Sequence, residues 1–293
     1  VKRLRDYIRL ARPEQWIKNS FVLAPLIFSR ELLDSGPLFV ALKAFAGFCL
    51  LSGAVYAVND LTDIRADRSH ATKKSRPLAS GSIGPAEALL VALFLVLAAG
   101  LLTIDVGWRY HLILLAYFLL NLAYSIKLKE IVLLDVFLIS SGFMLRVLAG
   151  AYAISVPVSS WIVLCTMFIS LFLGFAKRRG ELGGGREEAA TTERKVLSLY
   201  RVSFIDQMLT IAAAGAVITY ALYTVAPSTL AVFRTDKAIY TTVFVIYGVF
   251  RYLYLVHTSA ATENPTVAVT SDRTIVVTGI LWVLSCVVLI YTN

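Results

Sequence analysis

The sequence predicts an all-α polytopic membrane protein, and three observations carry that expectation. Hydrophobic residues make up 58% of the 293 and charged residues only 16%, with a mean hydropathy of +0.74, a balance outside the range of ordinary soluble domains. The apolar residues fall into about nine segments, roughly 17–33, 37–59, 84–106, 108–126, 131–154, 157–176, 206–226, 237–256 and 273–291. Most approach the ~20 residues that a helix needs to cross the hydrocarbon core. The lysines and arginines gather in the amino-terminal leader and in alternate connections, as the positive-inside rule requires of a chain that crosses repeatedly.

Taken in order, the first segment is the weakest, because Pro25 and Arg30 interrupt it. The second ends on Asn59-Asp60-Leu61-Thr62-Asp63-Ile64-Arg65-Ala66-Asp67, which puts three carboxylates at the end of an apolar run. On a helix turning ~100° per residue, Asp60, Asp63 and Asp67 fall within about 60° of one another. Carboxylates crowded this way repel each other and suit a hard cation, Mg²⁺ with Mn²⁺ as the alternative. Such an ion keeps several waters and holds a substrate diphosphate through one or two carboxylates. A solvated helix end with scattered acids is the plainer reading. The membrane setting weighs against it, since acids beside a spanning segment are more often functional.

The connection that follows, Lys73-Lys74-Ser75-Arg76-Pro77-Leu78-Ala79-Ser80-Gly81, brings cations within reach of a diphosphate held at Asp60 and Asp63. An ordinary cytoplasmic basic loop has the same composition. The fourth segment closes on Tyr124-Ser125-Ile126-Lys127-Leu128-Lys129, and Asp135 opens the fifth. Arg146 lies eleven residues beyond Asp135, about three helical turns, so the two are expected to face the same way. An arginine that deep calls for a polar cavity or a counter-ion, or for a salt bridge between helices. Lys43, nearer the outer end of its segment, is expected to snorkel.

The sixth segment runs into Lys177-Arg178-Arg179-Gly180-Glu181, the start of the longest cytoplasmic connection, which holds no aspartate from Lys177 to Ile205. A solvated loop explains its charge but not the order of its residues. Arg251 and Arg273 then flank the last cytoplasmic connection, while the opposite side holds only Arg30, Arg109, Arg234 and Lys237 of the 28 basic residues. The amino terminus and the acidic cluster are therefore expected in the cytoplasm, and the carboxyl terminus outside. Topology accounts for the net charge of +9, with generic attraction to membrane lipids, so no nucleic-acid partner is expected. The cysteines (Cys49, Cys165, Cys286) and histidines (His70, His111, His257) lack metal or disulfide spacing. No linker divides the chain, which reads as a single domain over 1–293.

In this order and with these spans, the NDxxDxxxD segment, the Lys-x-x-Arg-Pro-Leu-x-Ser-Gly connection and the Tyr-Ser-x-x-x-Lys stretch resemble the UbiA superfamily of intramembrane transferases over nearly the whole chain. The resemblance implies a UbiA-like bundle in the cell (inner) membrane with a cytoplasmic-facing active site. Most members move a prenyl group from a prenyl diphosphate to an aromatic acceptor and carry a second aspartate-rich motif in the sixth connection. Here Lys177-Arg178-Arg179-Gly180-Glu181 stands in its place. Together with the leader Arg12-Pro13-Glu14-Gln15-Trp16-Ile17-Lys18-Asn19, that departure makes the chain similar to the decaprenyl-phosphate phosphoribosyltransferase branch. That branch transfers 5-phosphoribose from 5-phosphoribosyl-1-diphosphate to a polyprenyl phosphate, releases diphosphate, and supplies cell-wall arabinan.

The resemblance implies roles for the residues already singled out. Asn59, Asp60, Asp63 and Asp67 would hold Mg²⁺ against the departing diphosphate. Lys129 and Arg76 would add charge there, while Lys73, Lys177, Arg178 or Arg179 would meet the 5-phosphate. Tyr124, Asp135, Arg146 and Glu181 would complete the substrate site. Arg12, Gln15 and Lys18 would receive the lipid phosphate. Two alternatives stand beside this reading: an aromatic prenyltransferase of the same superfamily, and a transporter in which Asp135 and Arg146 mark the substrate path.

Overall fold

In the computed structural model the described residues are 2–69, 72–183, 197–258 and 265–292, and they wind into helices without a strand among them. Helix α1 (Lys2–Ala11) leads into a 3-10 helix (Pro13–Leu23) and α2 (Ala24–Phe28). There follow α3 (Ser35–Thr62), α4 (Ile64–Ser69), α5 (Pro85–Leu102), α6 (Trp108–Ile126), α7 (Leu134–Ala153) and α8 (Ser160–Gly183). The chain continues through α9 (Val202–Val225), α10 (Pro227–Phe233), α11 (Thr242–Thr258), α12 (Pro265–Ser271) and α13 (Arg273–Tyr291).

Eight of these stretches are long and apolar enough to cross a membrane: α3, α5, α6, α7, α8, α9, the run from Lys237 through α11, and α13. The ninth expected segment is wound differently. Arg12 sits in the left-handed region at φ 49°, Pro13 brings no N–H, and the chain stays 3-10 until Leu23. A 3-10 helix rises ~2.0 Å per residue, so this polar-rich segment reaches deep between α3 and α7 with few residues.

Burial follows from what each helix faces. α3 is apolar all round and buries Ala44, Phe48, Leu51, Ala54 and Val55 among its neighbours. α5 and α13 instead expose Leu90, Phe94, Leu97, Ile280, Leu284 and Val288, the outward surface of a bundle whose solvent is lipid. One apolar cluster joins α3, α5 and α6 to α7, and another joins α8, α9 and α11.

Between α7 and the 3-10 helix, small residues let the backbones touch. A Cβ built on Gly150 would lie 1.9 Å from the carbonyl oxygen of Val22. That neighbour is backbone and cannot swing aside. Gly150→Ala is therefore expected to destabilise the protein by about 1–3 kcal/mol or more, read as a lower melting temperature in detergent. Gly100→Ala is the control, since nothing lies within 4 Å of a Cβ there; equal melting of the two variants would refute the close approach.

Candidate active site

The acidic segment does not form one face of a single helix, as its spacing suggests. α3 closes at Thr62, Asp63 takes the C-cap position with φ −100° and ψ 7°, and α4 resumes at Ile64. The break leaves Asp60 and Asp67 sharing Arg76 and turns Asp63 toward Lys129. Asp60 accepts through Oδ1 from Arg12 Nη2 and from Arg76 Nη1 at 3.2 Å. Asp67 Oδ2 accepts from the same Arg76 Nη1 at 2.6 Å, and Asp63 Oδ1 accepts from Lys129 Nζ at 2.7 Å. Asn59 Oδ1 receives the Ser125 hydroxyl. The leader, the end of α3, the connection after α4 and the connection after α6 thus meet at one place.

Asp60 and Asp67 are buried, whereas Asp63 is partly exposed. Among the described residues Asp60 Oδ2 is buried with no hydrogen-bond partner, so the desolvation of that acceptor is not offset by a hydrogen bond of its own. Among the described residues no three or more His, Cys, Asp or Glu side chains come together as a metal cluster. The donor set suits a hard cation held through one or two carboxylates, with other oxygens completing its shell.

A cavity of about 300 Å³ opens beside Asp60, lined by Arg9, Arg12, Glu14, Gln15, Arg76 and Pro77. Arg12 is also fixed by the face of Tyr56, with Cζ 5.2 Å from the ring centroid. In a 3-10 helix side chains three apart eclipse one another. Gln15, Lys18 and Phe21 therefore fall in line, with Arg12 and Ala24 at the two ends of the 3-10 helix. The line passes from this polar cavity to a second one of about 370 Å³, lined by Phe21, Ala24 and Phe28 together with Cys165, Tyr220 and Trp282.

Asp135 and Arg146 lie three turns apart on α7 and meet different groups. Arg146 is buried between Asn19 Oδ1 (2.8 Å), Tyr117 OH (2.9 Å) and the Gly142 carbonyl (2.9 Å). The rings of Phe48, Tyr117 and Phe143 lie within 5.4 Å of its Cζ. Neutral acceptors and aromatic faces, not a carboxylate, accommodate this charge. Lys18 lies within electrostatic reach of both Arg146 and Arg12.

Asp135 pairs instead with Arg178, at 2.7 Å from Nε, and both side chains are fully buried. Glu181 Oε2 accepts from Arg178 Nη1 at 2.5 Å. The Tyr200 hydroxyl donates to Asp135 Oδ1 at 2.8 Å while accepting the Leu133 N–H at 2.7 Å. Burial, reinforced by the Asp135 carboxylate, pushes the Tyr200 phenol well above its ordinary range. The cations expected to open a loop are in fact the last turns of α8, which extends to Gly183. Lys177 lies 3.8 Å from Glu181 Oε1, and Arg179 donates to Asp206 at 2.9 Å. Arg186, Arg194 and Lys195 lie outside the described residues.

The structure thus joins Arg12, Gln15, Asn59, Asp60, Asp63, Asp67, Arg76 and Lys129 in one region, and it sets Asp135, Arg178 and Glu181 in a second network. Lys73 opens the short 3-10 turn Lys73–Ser75 just before Arg76, and Tyr124 lies in the last turn of α6. Sequence reasoning assigned no role to Ser125, Tyr200, Tyr117 or Asn19. Ser125 and Asn19 sat inside the stretches already singled out, so their polarity was a usable signal. Tyr117 and Tyr200 carried none.

The UbiA prenyltransferase family model matches residues 22–268. A decaprenyl-phosphate phosphoribosyltransferase of Corynebacterium glutamicum is 34% identical over 99% of this chain and 88% of its own length. The enzyme of the same name from Mycolicibacterium smegmatis is 36% identical over 74% of this chain and 69% of its own. Among solved structures, a UbiA homologue from Archaeoglobus fulgidus bound to GPP and Mg²⁺ superposes with a TM-score of 0.76. It shares 17% identity, with 97% of this chain and 99% of that one covered.

Proposed function

The chain belongs to the UbiA prenyltransferase family, and from that premise we propose that it is a polyprenyl-phosphate phosphoribosyltransferase. It would transfer 5-phosphoribose from 5-phosphoribosyl-1-diphosphate to decaprenyl phosphate or a similar lipid phosphate, releasing diphosphate at the cytoplasmic face. The names of its relatives, at 34–36% identity, support that reading. The observation that carries it is the small cavity beside Asp60, whose lining is almost wholly charged or polar. Such a wall suits a phosphorylated sugar and offers nothing to a prenyl chain.

Asp60 and Asp63, with Asn59 and Asp67 beside them, are the residues that would hold Mg²⁺. The unpartnered Oδ2 of Asp60 is the donor best placed for it. When bound, the ion would supply charge neutralisation to the departing diphosphate. Arg76 and Lys129, already paired with these carboxylates, add hydrogen-bonding cations to the same oxygens as C1 of the ribose gains oxocarbenium character. The acceptor phosphate forms the new bond to C1 through an oxygen already ionised at neutral pH. No general base is needed. Lys73, Lys177 and Arg179 are the candidate cations for the 5-phosphate, for which Lys177 and Arg179 would exchange their present carboxylate partners. Arg12, Gln15 and Lys18 would lead the lipid phosphate inward, and the apolar cavity at the far end of their line would take the start of its tail.

That apolar cavity also favours one specific second reading, a prenyl diphosphate donor with an aromatic acceptor. One assay separates the two. Purified protein with Mg²⁺ receives radiolabelled 5-phosphoribosyl-1-diphosphate and polyprenyl phosphate, and in parallel a labelled prenyl diphosphate with 4-hydroxybenzoate. Ribose label in the organic phase is expected. Label entering the product only from the prenyl donor would overturn the proposal.

A further inference from the structure

Helix α1 presents two apolar edges, and only one is used inside the protein. Tyr7, Leu10 and Ala11 pack against Ala54, Ala57 and Ala88 of α3 and α5. Leu4 and Ile8, one turn apart, remain 65% and 52% exposed, and Arg3 and Arg5 beside them are exposed as well.

The depth of this helix can be bounded. A Cβ on Gly53 would lie 3.3 Å from Ala11 Cβ and 3.3 Å from Leu95 Cδ1, so the end of α1 is level with both. Gly53 is nine residues short of the end of α3 at Thr62, ~13 Å along the axis at ~1.5 Å per residue. Leu4 precedes Ala11 by seven residues, so no tilt of α1 raises it by more than ~10 Å. Leu4 and Ile8 therefore stay below the end of α3, whose 28 residues span ~42 Å, about the thickness of a bilayer with its headgroups.

We propose that α1 docks on an anionic lipid surface, with Leu4 and Ile8 at the acyl boundary and Arg3 and Arg5 on lipid phosphates. An apolar pair flanked by cations and held no higher than the headgroups is the pattern of an interfacial helix, and the charge selects anionic over zwitterionic lipid. The docking reaches the candidate site, because α1 runs directly into Arg12, whose guanidinium holds Asp60. Anionic lipid thereby fixes one wall of the polar cavity. This inference is independent of which donor the enzyme uses.

The test is fluorescence from bimane on Ile8→Cys in the full chain, with Cys49, Cys165 and Cys286 changed to alanine, in nanodiscs of phosphatidylcholine alone or mixed with phosphatidylglycerol. Should the cysteine-free background not fold, only Cys165 is changed to alanine, since Cys49 and Cys286 are buried. Quenching by nitroxide lipids is expected to be stronger in the anionic discs, and to weaken by up to about fivefold for each of Arg3→Gln and Arg5→Gln. Equal quenching in the two compositions would overturn the anionic assignment. Quenching by an aqueous probe alone, or self-quenching between labelled copies, would overturn membrane docking altogether.

Discussion

Replacing Asp60 by asparagine is expected to lower kcat/KM about a thousandfold or more, the loss of several kcal/mol of transition-state stabilisation that a positioned divalent cation supplies. Asp60 is the most consequential of the three carboxylates because two arginines converge on its Oδ1 while its Oδ2 has no partner. The substitution also leaves Arg12 and Arg76 short of a counter-charge, so activity must be compared at matched folded yield and melting temperature. Asp63→Asn is the companion variant. Asp63 is partly exposed and pairs with Lys129, so its removal disturbs the fold less and should cost activity in the same direction. A Mg²⁺-dependent rise in melting temperature with diphosphate, present in wild type and absent in both variants, would report the ion without catalysis. Activity within about threefold of wild type in both, well short of what a Lewis-acid metal contributes, would remove this cluster from the mechanism.

Arg178→Ala is expected to act on stability, not on donor affinity. Its guanidinium and the carboxylate of Asp135 are both fully buried, and removing one member of such a pair costs about 3–5 kcal/mol, because the other charge is left without compensation. Melting is expected to fall by about 10 °C for a chain of this size, with a parallel loss of folded yield. Converting both partners, Asp135→Asn with Arg178→Met, removes the stranded charge and is expected to recover most of the loss. Lys177→Ala makes the contrast: Lys177 is half-exposed and 3.8 Å from Glu181, so it should leave melting nearly unchanged and raise the KM for 5-phosphoribosyl-1-diphosphate. Wild-type melting of Arg178→Ala, with a selectively raised donor KM, would restore Arg178 to the 5-phosphate.

The contrast between Arg178 and Lys177 shows where the sequence was legible. Composition and segment length set the helical membrane class, and eight of nine segments have the length and apolarity for a span. The acidic triplet was legible as a cluster because its residues are close in the chain. Its cationic partners were legible only as charge, since Arg12 and Asp60 are 48 positions apart and Lys129 and Asp63 are 66 apart. The adjacent cations of α8 could not be told apart by order. Successive residues on a helix point ~100° apart, which sends Arg178 inward to Asp135 and Arg179 toward Asp206. Nor could spacing reveal that Arg146 would be met by neutral groups, because Asn19 lies in another segment and Tyr117 on another helix.

The 3-10 winding of Pro13–Leu23 makes that segment behave like a keyed shaft. As an α-helix its eleven residues would shorten from ~22 to ~16 Å, and each step of three would drift by about 60°. Gln15, Lys18 and Phe21 would then spiral away from Arg12 and no longer join the two cavities. Their alignment is a property of the winding, not of the order of the residues alone. A single residue inserted between Gln15 and Lys18 turns everything beyond it by about 120°, so the segment should tolerate side-chain exchange far better than any change in length.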